Sequence, residues 1–126
     1  ICYYSLTKDL PNAYSDHNIK KMKVQPHSIM VDDIHGMKLS TYMPTEAQIK
    51  SCIALAGGVC HAMDIPAKFP RNPDGSICKT AIKDPEKYQG LLGHLHITNQ
   101  KIDPSGFDFE KVEKGVQEFI ANAIYR

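Results

Sequence analysis

Paired cysteines are missing from this chain. Its four cysteines stand at positions 2, 52, 60 and 78, and none forms a Cys-x-x-Cys pair. A zinc knuckle, which needs closely spaced thiolates, is therefore not expected. Long apolar runs are missing as well. The unbroken ones are a few residues long, too short to cross a bilayer as a helix. Neither sign of charge dominates, because 15 Lys and Arg face 14 Asp and Glu and leave a net +1. A strongly basic nucleic-acid module is excluded on that ground. The chain also lacks internal repeats and low-complexity tracts. What remains is an ordinary globular composition, 42% apolar and 23% charged, over 126 residues that suit one core. The first residue is Ile1, with no Met and no signal-peptide pattern, so a processed product or a fragment is expected.

Four cysteines in so short a chain fit a secreted or periplasmic protein with one or two disulfides. Cys60 with Cys78 is the favoured pair, since a helix end and a following loop can meet there. The competing reading makes Cys52 and Cys60 small buried residues on a helix.

The clearest element is a helix over residues 45–63. Thr45 is a good N-cap, and Gln48 three places on completes a capping box. Ile49, Cys52, Ile53, Ala56, Val59, Cys60 and Met63 recur at three- and four-residue steps and form one buried stripe. Gly57-Gly58 costs about 1 kcal/mol per glycine relative to Ala, which points to close packing against another element. Pro66 marks the helix end. Upstream, Ser28 to Ile34 reads as a short strand ended by Gly36, and Tyr3-Tyr4 as the start of another. Turns are read at Pro11-Asn12 and over Asp16 to Asn18. Residues 66–88 hold four of the eight prolines and read as a long loop, with a turn at Asn72-Pro73-Asp74-Gly75. Gly90 to His94 reads as a short buried strand. After a polar loop, Asp108 caps a final helix with Phe109, Val112, Val116, Phe119, Ile120 and Ala123 on its core face. The order strand, helix, strand, helix predicts an α/β or α+β domain.

The stretch that carries chemistry is residues 93–107, GHLHITNQKIDPSGF. A histidine at a strand end, His94, is placed rigidly and is followed nine residues later by Asp103, with Lys101 two places before the acid. Imidazole and carboxylate are suitable zinc ligands, and a catalytic zinc takes three protein ligands and keeps one open position. The plain alternative makes His94 a satisfied core histidine and Asp103 a turn residue before proline.

This segment resembles the C-terminal motif of the type-2, zinc-dependent N-acetylmuramoyl-L-alanine amidases, whose fold the peptidoglycan-recognition proteins share. The matching residues are Gly93-His94, Lys101-Ile102-Asp103-Pro104, Gly106 and Phe107. Upstream, Ser28 to Asp32 looks like the family's Ser-Ile-Gly-Ile-Glu strand, and Pro44 to Gln48 like the start of its long helix. The likeness runs over about residues 13–120. It implies an α/β fold with a mixed central sheet flanked by helices, and a single amidase-like domain over 1–126 that forms the C-terminal part of the full domain. It implies Zn2+ held by His94 and Asp103, Lys101 stabilising charge on the carbonyl oxygen, and Asp32 as general base in place of the bacterial glutamate. His17 falls where a substrate-side histidine precedes the strand. The implied reaction is hydrolysis, by zinc-activated water, of the amide between the muramic-acid lactyl group and L-alanine. The family's first zinc histidine has no match, so an upstream segment or a second chain is expected to supply it.

The other histidines read more plainly. His27 and His35 flank the Asp32 strand and are expected to be exposed, and His61 to be structural. His96 lies on the same side of a continuing strand as His94, where it either orients a metal ligand through a hydrogen bond or is simply partly exposed. Tyr42 and Phe69 are candidate groove walls, although ordinary loop packing explains both. The expected partner is peptidoglycan or a muropeptide. The alternative function is a non-catalytic peptidoglycan-binding module, and a third reading is a zinc-free protein-interaction domain.

Overall fold

A computed structural model describes residues 5–6 and 29–124. Strand β1 (Ser5–Leu6) pairs with β3 (Met37–Tyr42), which pairs in turn with β2 (Ile29–Ile34). The sheet order is β1-β3-β2 and both pairings are antiparallel. Among the described residues the architecture is thus a small antiparallel sheet with helices, a mixed α and β fold. The resemblance implies a mixed central sheet, whereas the described sheet is antiparallel throughout. Tyr3-Tyr4, Pro11-Asn12 and Asp16 to Asn18 lie outside the described residues.

The β2–β3 pair is a hairpin closed by two residues, His35 and Gly36, at φ 54° and 75°. Positive φ at both positions gives the backbone the twist that matches right-handed strands. Gly36 does end β2, as expected, but it also turns the chain straight into a second strand. Along β2 burial alternates: Asp32 and Ile34 face inward, while Val31 and Asp33 face solvent. Leu39 and Thr41 of β3 continue the inner face.

Helix α1 (Glu46–Met63) starts as the sequence predicts. Gln48 N–H donates to Thr45 Oγ1 at 3.2 Å, and Thr45 N–H donates to Gln48 Oε1 at 2.8 Å. The helix ends at Asp64, in the left-handed region at φ 55°, two residues before Pro66. Ile49, Gly57 and Cys60 are buried, whereas Val59 and Met63 are exposed, so the apolar stripe is narrower than its periodicity implies. Helix α3 (Phe109–Ile124) packs along α1. Phe119 lies over Gly57, and Ile53 over Gly115, leaving no room for a Cβ at either glycine. Gly58 faces open space. Asp108 does cap α3, its Oδ1 accepting from Lys111 N–H at 3.0 Å.

The one element that the pattern misassigns bears on the site. Residues 90–93 are irregular, and His94–Ile97 forms a single helical turn, α2. Leu91 and Leu92 make the segment look like a buried strand, but no strand lies beside it among the described residues. Ahead of it, residues 66–88 are the expected loop, with a bridge from Arg71 to Ile77 and a short 3-10 turn over Pro85–Lys87. The Arg71 guanidinium ties that loop to α3 through Glu110 and Glu113. Beneath the loop lies the core. Phe69, Phe107 and Phe109 meet edge to face, with Leu95, Val112, Val116 and Ile34 around them. Phe69, a candidate groove wall, belongs to this core and also lines a pocket. Cys52, Cys60 and Cys78 are free thiols, so the expected Cys60–Cys78 bridge is not formed. Burial pushes the Cys52 and Cys60 thiols up from their ordinary value, as suits neutral packed sulfur. No helix among the described residues is long and apolar enough to cross a membrane.

Candidate functional site

The structure brings two of the sequence-predicted site residues into contact. His94 Nδ1 lies 3.2 Å from Asp103 Oδ2, and the two side chains are 47% and 59% exposed. Both stand at the mouth of a pocket of about 310 Å³. Its wall is largely apolar, with Phe69, Leu91, Leu92, Phe107 and Phe109 among its residues. Cys52 also lines it, held as a neutral thiol by its burial.

Backbone bonds hold the pair from below. Leu95 N–H donates to Asp103 O at 2.9 Å, which joins the turn bearing His94 to the loop bearing Asp103. His35 Nε2 donates to Lys101 O at 2.8 Å, so the hairpin tip grips the same loop. Thr41 and Ser105 share a buried hydroxyl bond of 3.1 Å. Gly106, at φ 65°, sits against Thr41 and the Tyr42 carbonyl, and only glycine fits that approach. A hairpin that the sequence pattern half concealed is therefore the platform of the site.

Asp32 belongs to this platform. Its side chain is 1% exposed. One oxygen accepts from Lys79 Nζ at 2.6 Å and from Asp33 N–H at 2.9 Å, and the other accepts from Gly106 N–H at 2.8 Å. The expected general base needs a carboxylate oxygen open to water, whereas this carboxylate braces the turn after Asp103. Lys101 is exposed, and its backbone carbonyl is anchored by His35. His17 lies outside the described residues, as does His27. His61 is exposed on α1, and His35, expected to be exposed, is half-buried at the hairpin tip.

His96 is the residue whose part the sequence pattern blurred. It is 0% exposed. Gly93 N–H donates to its Nδ1 at 2.8 Å, and its Nε2 donates to Cys78 O at 2.7 Å. Burial lowers its pKa below the ordinary imidazole value, and His35 nearby adds to that lowering. A strand would set His94 and His96 on one side, whereas a helical turn sends residues two apart to opposite sides. One is therefore at the surface and the other in the core.

His94 and Asp103 fit the donor chemistry of a zinc centre. Two ligands of a tetrahedral zinc, each about 2.0–2.1 Å from the metal, stand about 3.3 Å apart. The observed 3.2 Å contact has that spacing, and it is open to solvent on its outer side. Among the described residues no group of three His, Cys, Asp or Glu side chains could hold a metal ion.

No family model, curated protein or solved structure matches this chain.

Proposed function

We propose that the chain is an amidase-like domain of the type-2 amidase and peptidoglycan-recognition superfamily. Its reaction is hydrolysis of the amide between N-acetylmuramic acid and L-alanine in peptidoglycan or a muropeptide, outside the cytoplasm. The observation that supports it best is the exposed His94–Asp103 contact above an apolar pocket. On this reading His94 and Asp103 hold Zn2+, and the third protein ligand lies outside the described residues or on a second chain. Bound there, zinc supplies Lewis-acid polarisation of the carbonyl and an acidified water. The chain's own residues do the rest. The pocket wall suits the methyl-bearing lactyl and alanyl groups on either side of the scissile amide. Lys101, two residues from Asp103, offers an ammonium to the developing oxyanion.

A second reading, a non-catalytic peptidoglycan-binding module of the same fold, draws on one observation. The Asp32 carboxylate is engaged by Lys79 and Gly106 and closed to water. Zinc content after chelator-free purification tests the metal reading, followed by release of free L-alanine amino termini from peptidoglycan. The expected result is about one zinc per chain, lost in both His94→Ala and Asp103→Ala. Unchanged zinc in both variants overturns the metal assignment. Zinc bound without release of peptide favours the binding module.

A further inference from the structure

We propose that His96 is the positioning residue of the His94–Asp103 pair, a role that rests on reading these two as metal ligands. The argument starts from hydrogen-bond polarity. A backbone N–H only donates and a carbonyl only accepts. Because Gly93 N–H points at Nδ1 and Cys78 O lies at Nε2, the ring carries its single proton on Nε2. His96 is thus the third residue of the turn and accepts from the N–H that precedes it. Glu or Gln does the same in a capping box.

That bond acts one peptide unit from His94. Gly93 is buried between His96 and the far ligand's neighbour. A Cβ placed on Gly93 would come within 2.7 Å of Pro104 Cδ and 3.5 Å of His96 Nδ1. The imidazole and Pro104, the residue next to Asp103, thus close on Gly93 from two sides, and the Leu95 N–H that donates to Asp103 O ties the same turn to the second candidate ligand. On its other side His96 is tied to the loop after Cys78, since Ile82 N–H donates to His96 O at 2.8 Å. The Phe109 ring stands 5.5 Å away, edge to face. The imidazole thus carries the rigidity of the aromatic core to the exposed pair. Metal ligands are commonly oriented by partners of this kind, whose removal costs affinity while the ligands themselves remain.

Three variants separate positioning from packing. In His96→Asn the amide oxygen takes the place of Nδ1 and keeps the Gly93 bond. In His96→Gln the amide nitrogen takes the place of Nε2 and keeps only the Cys78 bond. His96→Leu keeps neither. Each is read by thermal stability, by the His94 ring-nitrogen resonances of the metal-free protein, and by zinc affinity in competition with a chelator. The expected result is zinc affinity within about threefold of the parent for Asn and a loss of about 10–100-fold for Gln and Leu. The His94 resonances are expected to move in Gln and Leu alone, whatever the order of the three melting temperatures. Zinc affinity or His94 resonances that change as much in His96→Asn as in His96→Gln and His96→Leu, or that do not change in any of the three, overturn the proposal. If the parent takes up no zinc while the His94 resonances move as expected, the positioning role stands and the metal reading fails.

Discussion

His94 and His96 occupy one helical turn and have opposite environments. His94 is half exposed, and its ring meets Asp103. His96 has no exposed surface, and both its ring nitrogens are hydrogen-bonded to backbone. The same contrast extends outward from each. On the outer side stand Lys101 and Asp103, both exposed, Lys101 anchored through its carbonyl and Asp103 through its carbonyl and its contact with His94. On the inner side Asp32, Gly106, Thr41 and Ser105 form a buried polar brace between hairpin and loop. The inner set spends its side chains on structure, which leaves the outer set free for a ligand. Removing a member of the inner set should therefore cost stability, and removing a member of the outer set should cost function alone.

The largest effect on stability is expected from Asp32→Ala. It strands the half-buried Lys79 ammonium and a buried Gly106 N–H, and the loss should be about 3 kcal/mol by urea unfolding. Asp32→Asn retains an acceptor for Gly106 and should lose less. Equal stability of Asp32→Ala and the parent would break the contrast between the two sides. Next comes the helix pair. Gly57→Ala drives a methyl into the Phe119 ring and should cost about 1–3 kcal/mol. Gly58→Ala, next to it but facing solvent, should stabilise by about 0.5–1 kcal/mol through helix propensity. Thermal melts of the two give opposite signs if the two helices pack as described.

His96 also gives a pH effect. In the folded chain His96 has a lowered pKa because it is buried, whereas in the unfolded chain it returns to about 6.5. Below that value the unfolded chain binds the proton more readily, so stability falls as pH falls from about 6.5 toward the lower folded value. Above about 6.5 both states are neutral and this contribution is fully present and flat. Urea midpoints measured across pH 5 to 8 should show the slope in the parent and lose it in His96→Leu. The smallest stability effects belong to the outer set. His94→Ala and Asp103→Ala should each stay within about 0.5 kcal/mol of the parent, although both remove the proposed metal site. A loss of several kcal/mol in either would move that residue to the structural side.

The two long helices, α1 and α3, were legible in the sequence because their signals are local. Thr45 and Gln48 close a capping box with atoms three residues apart, and Asp108 caps α3 in the same way. The apolar steps along each helix announced which face turns inward, although Val59 and Met63 of α1 remain exposed. The hairpin was half legible. His35-Gly36 is a two-residue connection with alternating burial on either side, but histidine at positive φ is a weaker turn signal than Asn or Asp before Gly. Leu91 and Leu92 were misleading. A short apolar run looks the same whether it enters a sheet or lies under a loop, and only a neighbouring strand decides between them.

For the candidate site, the sequence by itself determined the residue types and their spacing. His94, Lys101 and Asp103 lie within one short segment, where imidazole and carboxylate readily meet across a loop. The tertiary structure alone decided which groups face one another. Asp32 is brought to Gly106 across 74 residues of chain, and His96 to Cys78 across 18. Whether a carboxylate or an imidazole is available for chemistry depends on the donors and acceptors that such distant segments present to it. No local pattern encodes these contacts, because they arise only when the hairpin, the long loop and the last helix close around one core.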